Sequence, residues 1–227
     1  MILAAGRGAR FKPLTDSLPK PLIPVGGEAL IERHLRGLAL AGIRDVVINL
    51  GWLGERIEAQ LGDGARLGVR VAFSREGWPA LETGGGIFHA LPLLGAGPFL
   101  LVNGDVWTDY PFSGLVARAR ALPGNDLAHM VLIPNPTHHP AGDCGLAGGR
   151  VVTACVETHT FSGLSVIRPE LFAEIGNAEP APHFPLWPLL RDAAIRGQVG
   201  GELYGGRWSD VGTPERLQAL EAELEET

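Results

Sequence analysis

Short apolar runs alternate with helical patterns along the first 134 residues, and this alternation restricts the possible folds more than any other feature. Runs rich in β-branched residues stand at Met1 to Ala4, Asp45 to Leu50, Val69 to Phe73, Phe99 to Val102 and Met130 to Ile133, each followed by a loop. Apolar runs of that length predict strands buried on both faces. Between them, Leu30 to Ala41, Leu53 to Leu61, Ile87 to Leu94 and Phe112 to Leu122 place apolar residues three and four apart, the spacing of a helix with one buried face. Strand and helix in alternation predict an α/β fold, a Rossmann-like, doubly wound and mostly parallel sheet. In such sheets ligands sit beyond the carboxyl ends of the strands, so chemistry is expected in the loops that follow them.

After residue 134 the pattern changes. A polar loop covers Pro134 to Asp143, a hairpin is expected around Gly148 and Gly149, and a strand at Phe161 to Ile167. Helices follow at Pro169 to Ile175, Pro185 to Arg196 and Pro214 to Leu224, with a returning strand at Glu202 to Tyr204. We expect a single domain over residues 1–227. Residues 1–134 would form its α/β half, 135–213 a half carrying a small β insertion, and 214–227 a C-terminal helix.

With 227 residues, 45% of them hydrophobic, the chain is long enough for one sizeable core. A net charge of −6 argues against nucleic acid or an anionic membrane as partner, since either favours a basic surface. The opening Met1 to Gly6 has no basic leader region, and no later run approaches a membrane span. A cytoplasmic protein with a small soluble ligand is expected. Met1 lies within the first strand, which leaves open whether residues precede it or the start is simply compact. Cys144 and Cys155 are too few for a disulfide framework and read as two buried small side chains.

The most informative loop follows the first strand: Leu3-Ala4-Ala5-Gly6-Arg7-Gly8-Ala9-Arg10, then Pro13-Leu14-Thr15 and Pro19-Lys20-Pro21. Gly6 and Gly8 let the backbone approach a ligand closely, and their N–H groups can cradle phosphate oxygens. Arg10 and Lys20 can neutralise the remaining charge. Lysine occurs only at Lys12 and Lys20, which suggests that a compact ammonium is wanted in this segment. A P-loop would need Gly-Lys-Ser/Thr, and a dinucleotide fingerprint a third glycine where Phe11 stands.

Two carboxylates draw attention. Asp105 follows a buried strand and Gly104, within Asn103-Gly104-Asp105, which would turn it into the cleft. Asp210 precedes a helix start with Thr213 as N-cap and Pro214 at the first helical position. Each could serve as a turn or capping residue, or the two could share one Mg²⁺, which takes one or two carboxylates plus phosphate oxygens.

Taken together, these residues resemble the sugar-1-phosphate nucleotidyltransferase family, whose signature is Leu-Ala-Ala-Gly, a spaced Gly, Pro-Leu-Thr and Pro-Lys-Pro, with Asn/Asp-Gly-Asp and Trp-x-Asp-x-Gly-Thr further on. The resemblance implies that Ala5, Gly6, Gly8, Ala9, Arg10, Lys20 and Asn103 hold the nucleotide. It implies that Asp105 and Asp210 bind Mg²⁺, and that they act in catalysis with Arg10 and Lys20. Lys20 would bridge the α-phosphate or the sugar phosphate. The base would be read near Leu81-Glu82-Thr83-Gly84-Gly85-Gly86, with Glu76, Glu82 and Thr83 as candidates, although the triple glycine could instead begin a helix packed closely on the sheet.

The chain is most similar to the bacterial branch that uridylylates N-acetylmuramic acid 1-phosphate in cell-wall recycling. The likeness rests on Leu81 to Phe88, Leu100 to Tyr110, Thr160 to Gly163, Asn135-Pro136 and Gly142-Asp143. That branch implies UTP and a sugar 1-phosphate as partners, with Asp143, Ser162 and Gly163 beside the sugar and Glu157 within reach of a hydroxyl. His138 and His139 read as polar loop residues. Relatives that act on hexoses carry Glu-Lys-Pro where Glu157-Thr158-His159 stands here, and no lysine follows Lys20. A glucose, mannose or phosphocholine nucleotidyltransferase, or a nucleotide-sensing module without catalysis, are the competing readings. The C-terminal helix without further repeats implies a monomer or small homo-oligomer.

Overall fold

The computed structural model describes residues 1–176 and 178–226, so Thr227, at the end of the expected C-terminal segment, lies outside the described residues. In chain order the elements begin with β1 (Ile2–Leu3), β2 (Pro24–Val25), β3 (Glu28–Ala29), α1 (Leu30–Leu40), β4 (Asp45–Leu50), α2 (Gly54–Leu61) and β5 (Arg70–Arg75). They continue with α3 (Glu82–Leu94), β6 (Phe99–Asn103), β7 (Val106–Thr108), α4 (Phe112–Arg120) and β8 (Ala128–Ile133). The last are β9 (Gly145–Ala147), β10 (Arg150–Val152), β11 (Thr160–Ile167), α5 (Trp187–Ile195), β12 (Val199–Leu203), β13 (Trp208–Asp210) and α6 (Pro214–Glu225).

Nine strands form one sheet in the order β5-β4-β1-β6-β11-β8-β12-β10-β9. Seven run the same way; β11, inserted antiparallel between β6 and β8, and β10 run against them. The fold is therefore α/β with a mostly parallel sheet, and β11 joins the later half of the chain to the sheet that the earlier half begins. Alternate side chains feed two cores, because successive residues of a strand face opposite sides. Ile2, Ile48, Val102 and Val131 meet α1, α2 and α4 through Leu35, Ile57 and Leu115. Met1, Val47, Leu101 and Met130 meet α3 and α5 through Ile87, Leu190 and Ala193. A third cluster gathers Phe11, Ile23, Val25, Leu30, Trp107, Val211 and Leu220. It pins the first loop against β7 and α6, and Phe11 alone contributes about 2 kcal/mol of burial there.

Several expectations need correction. The returning strand begins at Val199, three residues before Glu202, because Gly200 and Gly201 belong to it. Glycines carry no hydrophobic signal, yet a β-carbon at Gly201 would meet Leu146 and Val151 at 2.9 and 3.0 Å, so the neighbouring hairpin packs directly on the backbone. Pro169–Ile175 is a 3₁₀ helix, and α3 starts at Glu82, five residues before Ile87. Cys155 is exposed in the bend after β10, and only Cys144 is buried. The ribbon of β7 with β13 and the hairpin of β2 with β3 were not foreseen, since two- and three-residue strands leave no periodicity. The hairpin of β9 and β10 stands where expected, with Gly148 and Gly149 at φ 57° and 74° in its turn.

His34 on α1 is enclosed, its Nε2 buried without a partner and its ring hydrogen-bonded to the backbone of Val106. Burial pushes this imidazole down to about 4 from its ordinary 6.5. Between those values the unfolded chain binds a proton that the folded chain refuses, so stability is complete above the upper value and falls as pH drops toward the lower. The loss amounts to about 3 kcal/mol at most. In urea unfolding across that range, His34→Gln is expected to flatten the pH dependence by about one proton. An unchanged slope would refute the assignment to His34.

Candidate active site

The loop after β1 is braced from several sides. Gly8 takes the left-handed conformation at φ 62°, and a β-carbon there would press on Lys20 and Thr15 at 3.1 Å. Thr15, fully buried, donates from Oγ1 to the Gly8 carbonyl at 2.9 Å. Arg7 pairs with Asp16, donates to the Thr15 carbonyl at 2.7 Å and stacks 3.8 Å over the Trp52 ring. Trp52 Nε1 donates to the same Thr15 carbonyl at 2.9 Å. These bonds hold Gly6, Ala9 and Arg10 open toward solvent, and no side chain among the described residues pairs with Arg10. Lys20, only 7% exposed, reaches Asp105 Oδ2 with its ammonium at 2.6 Å.

Asp105 and Asp210 come together through the β7–β13 ribbon, in which Asp210 stands opposite Val106 and the Val211 N–H donates to the Asp105 carbonyl at 2.8 Å. Gly104 is required beside them. Its N–H donates to the Leu3 carbonyl at 2.9 Å, and a β-carbon would fall 2.5 Å from that oxygen. Arg216 Nη1 donates to Asp210 Oδ2 at 2.5 Å. His138 Nε2 lies 3.0 Å from Asp210 Oδ1, without the alignment of a hydrogen bond, and that oxygen is buried with no hydrogen-bond partner.

Two cavities adjoin at this point. The first, of about 380 Å³, is lined by Ala5, Gly6, Gly8, Ala9, Lys20, Glu76, Glu82 and Thr83 among others. The second, of about 400 Å³, is lined by His138, His139, Asp143, Phe161, Ser162, Gly163, Trp208, Asp210 and Arg216. Arg10, Asn103 and Asp105 line both. Thus the residues expected to hold a nucleotide all face one cavity, and those expected beside a sugar face the other, except Glu157. Glu157 is exposed in the bend before β11 and lines neither cavity.

In the first cavity Glu76 is locked in place. Asn49 donates to its Oε1 at 2.6 Å, the Leu81 N–H donates to its Oε2 at 2.9 Å, and Asn49 Oδ1 in turn accepts from the Ala4 N–H at 2.8 Å. The triple glycine serves packing inside α3. Beside Gly84 lies Phe184, beside Gly85 the Pro182 carbonyl at 2.2 Å from a β-carbon position, and beside Gly86 the Glu76 carboxylate at 2.3 Å. Thr83 Oγ1 accepts from the Leu186 N–H at 2.8 Å.

In the second cavity a bulge interrupts the pairing of β11 with β8 between Phe161 and Leu164. Such bulges re-aim side chains beside functional sites. Ser162 at the bulge donates to the Val131 carbonyl at 2.7 Å, and Trp208 Nε1 donates to the Ser162 carbonyl at 2.8 Å. Gly163 takes φ 82° against Asn103. Asp143 accepts from the Phe161 N–H at 2.7 Å and stands 3.1 Å from His139 Nε2. Sequence reasoning missed Asn49, His138, Phe161, Trp208 and Arg216. Of these only Trp208 and Arg216 had a usable signal, lying within six residues of Asp210.

Known proteins resemble this chain in sequence and fold. The model of the nucleotidyl transferase family matches residues 1–145. An N-acetylmuramate alpha-1-phosphate uridylyltransferase of Neisseria meningitidis serogroup B is 47% identical over 225 residues, covering 98% of this chain and 96% of that protein. One of the same name from Caulobacter vibrioides is 34% identical, covering 100% and 96%. A crystal structure from Bacillus anthracis, of a protein given provisionally as a glucose-1-phosphate thymidylyltransferase and bound to sucrose, superposes with a TM-score of 0.86 at 20% identity over 100% of this chain and 94% of that one. At that identity the likeness is one of fold.

Proposed function

The chain belongs to the nucleotidyl transferase family, and we propose that it transfers a uridylyl group from UTP to N-acetylmuramic acid α-1-phosphate, yielding UDP-N-acetylmuramic acid and pyrophosphate. The observation that carries the reading is the pair of cavities meeting at Arg10, Asn103 and Asp105. A reaction between two phosphate esters needs both bound side by side, and there the two would touch. The two uridylyltransferases, similar over nearly their whole length, support the choice of base and sugar. On this reading the enzyme works in the cytoplasm, where UTP is made, and returns a wall sugar to use.

Mg²⁺ fits the residues present. Asp210 Oδ1 is a buried oxygen without a hydrogen-bond partner, Asp105 adjoins it across the ribbon, and both are the hard oxygen donors that Mg²⁺ prefers. Among the described residues no three His, Cys, Asp or Glu side chains gather to hold a metal, which suits an ion completed by substrate phosphates. When bound by Asp105 and Asp210, it would supply charge neutralisation at the phosphates.

The chain's own groups account for the rest. The backbone of Gly6 to Ala9 and the unpaired Arg10 would cradle the triphosphate, while Lys20 offers a fixed cation in the first cavity, held by Asp105. A sugar phosphate oxygen attacks the α-phosphorus in line and pyrophosphate departs. The nucleophile is already ionised, so no side-chain base is needed, and catalysis is positioning with charge stabilisation. Pyrophosphate release is expected with UTP and N-acetylmuramic acid 1-phosphate, and little with glucose 1-phosphate, N-acetylglucosamine 1-phosphate or dTTP. Release confined to another pair would discard the substrate, and UTP binding without any turnover would point to a sensing role.

A further inference from the structure

A dianionic sugar phosphate must enter a cavity that already presents Asp105, Asp143 and Asp210. Its binding therefore calls for a permanent cation within that cavity that keeps donors to spare. Lys20 lines the first cavity only and donates to Asp105. Arg10 lines both cavities and lies beside the triphosphate loop. His138 and His139 each stand near a carboxylate, at 3.0 and 3.1 Å. One always-charged side chain lines the second cavity and not the first, namely Arg216.

We propose that Arg216 receives the phosphate of the sugar 1-phosphate, an assignment that rests on the transferase reading above. The side chain is set for this task. Nη1 is held by Asp210 Oδ2, and the guanidinium passes so close to Gly212 that a β-carbon there would fall 2.4 Å from Nη2. Of the five N–H donors in a guanidinium, the bond to Asp210 occupies one, and the fork geometry matches phosphate. With the side chain 20% exposed, the bonds it makes to phosphate are partly shielded from water and correspondingly stronger. Asp210 thus has two partners to serve, its Oδ2 holding Arg216 while its Oδ1 stays unclaimed.

The test is equilibrium binding of N-acetylmuramic acid 1-phosphate, measured by calorimetry without UTP or divalent metal, followed by steady-state kinetics. Arg216→Met is expected to weaken binding about ten- to a hundredfold, while the KM for UTP moves less than about threefold. Arg216→Lys should recover part of the loss, because it keeps the charge but not the fork. Gly212→Ala, which displaces the guanidinium without removing it, should fall between wild type and Arg216→Met. This second variant keeps the test open if Arg216→Met folds poorly.

If sugar phosphate binding is unchanged in Arg216→Met and only the Mg²⁺ requirement rises, Arg216 merely holds Asp210 and the proposal is overturned. The wild-type arm reports on the substrate separately. Should wild type prefer glucose 1-phosphate, the sugar assignment fails and the Arg216 comparison is made with that ligand. A wild type that binds no sugar 1-phosphate overturns both.

Discussion

Asp105→Asn is expected to lower kcat about a thousandfold, the scale on which a charge-stabilising group acts in phosphoryl transfer. The substitution keeps the size of the side chain and the Val211 N–H bond to the residue 105 carbonyl. What it removes is the charge facing both cavities. It also leaves the Lys20 ammonium, 7% exposed, without its counter-ion. Since Asp105 itself is 42% exposed, water softens the pair, and the cost in stability should be about 1 kcal/mol. Single-turnover uridylyl transfer and a thermal melt without metal check the two halves. A variant retaining a tenth or more of the wild-type rate would remove Asp105 from the catalytic centre.

Lys20→Met is expected to lose about a hundred- to a thousandfold in rate, yet to leave the protein as stable as before or slightly more so. Methionine fills much of the volume of the lysine stem, and the enclosed ammonium no longer has to be desolvated. The half-exposed Asp105 keeps its hydration. Rate and stability would therefore move together in Asp105→Asn and apart in Lys20→Met. If Lys20→Met instead melts well below wild type while turning over normally, the lysine is a structural strut.

Much of residues 1–134 was legible because β4, β6 and β8 are buried on both faces and the helices on one, and burial writes its period into the sequence. Gly8, Arg10 and Lys20 stood out because glycines and cations gather in the loop after one strand, and Asp105 because it follows a buried strand and a glycine. The later segments were harder for identifiable reasons. Gly200 and Gly201 belong to a strand in which neighbouring side chains, His129, Leu146 and Val151, pack directly on the glycine backbone. The bulge at Ser162 and Gly163 breaks the alternation where it matters most. His138 joins the site through a contact with Asp210, far away in sequence, which no local pattern records. The triple glycine read either as a ligand loop or as the start of a closely packed helix, and three different neighbours, Phe184, Pro182 and Glu76, each require one of its glycines.

The β7–β13 ribbon also sets the order in which a growing chain can mature. Synthesis delivers Asp105 first, together with the strands that surround it, whereas Asp210 emerges about a hundred residues later. The carboxylates meet by closing a loop of about a hundred residues, a step slower than any local hairpin. A nascent chain still on the ribosome can thus have much of its sheet folded before the two carboxylates meet. Fragments released before β13 are expected to be inert however well their cores pack.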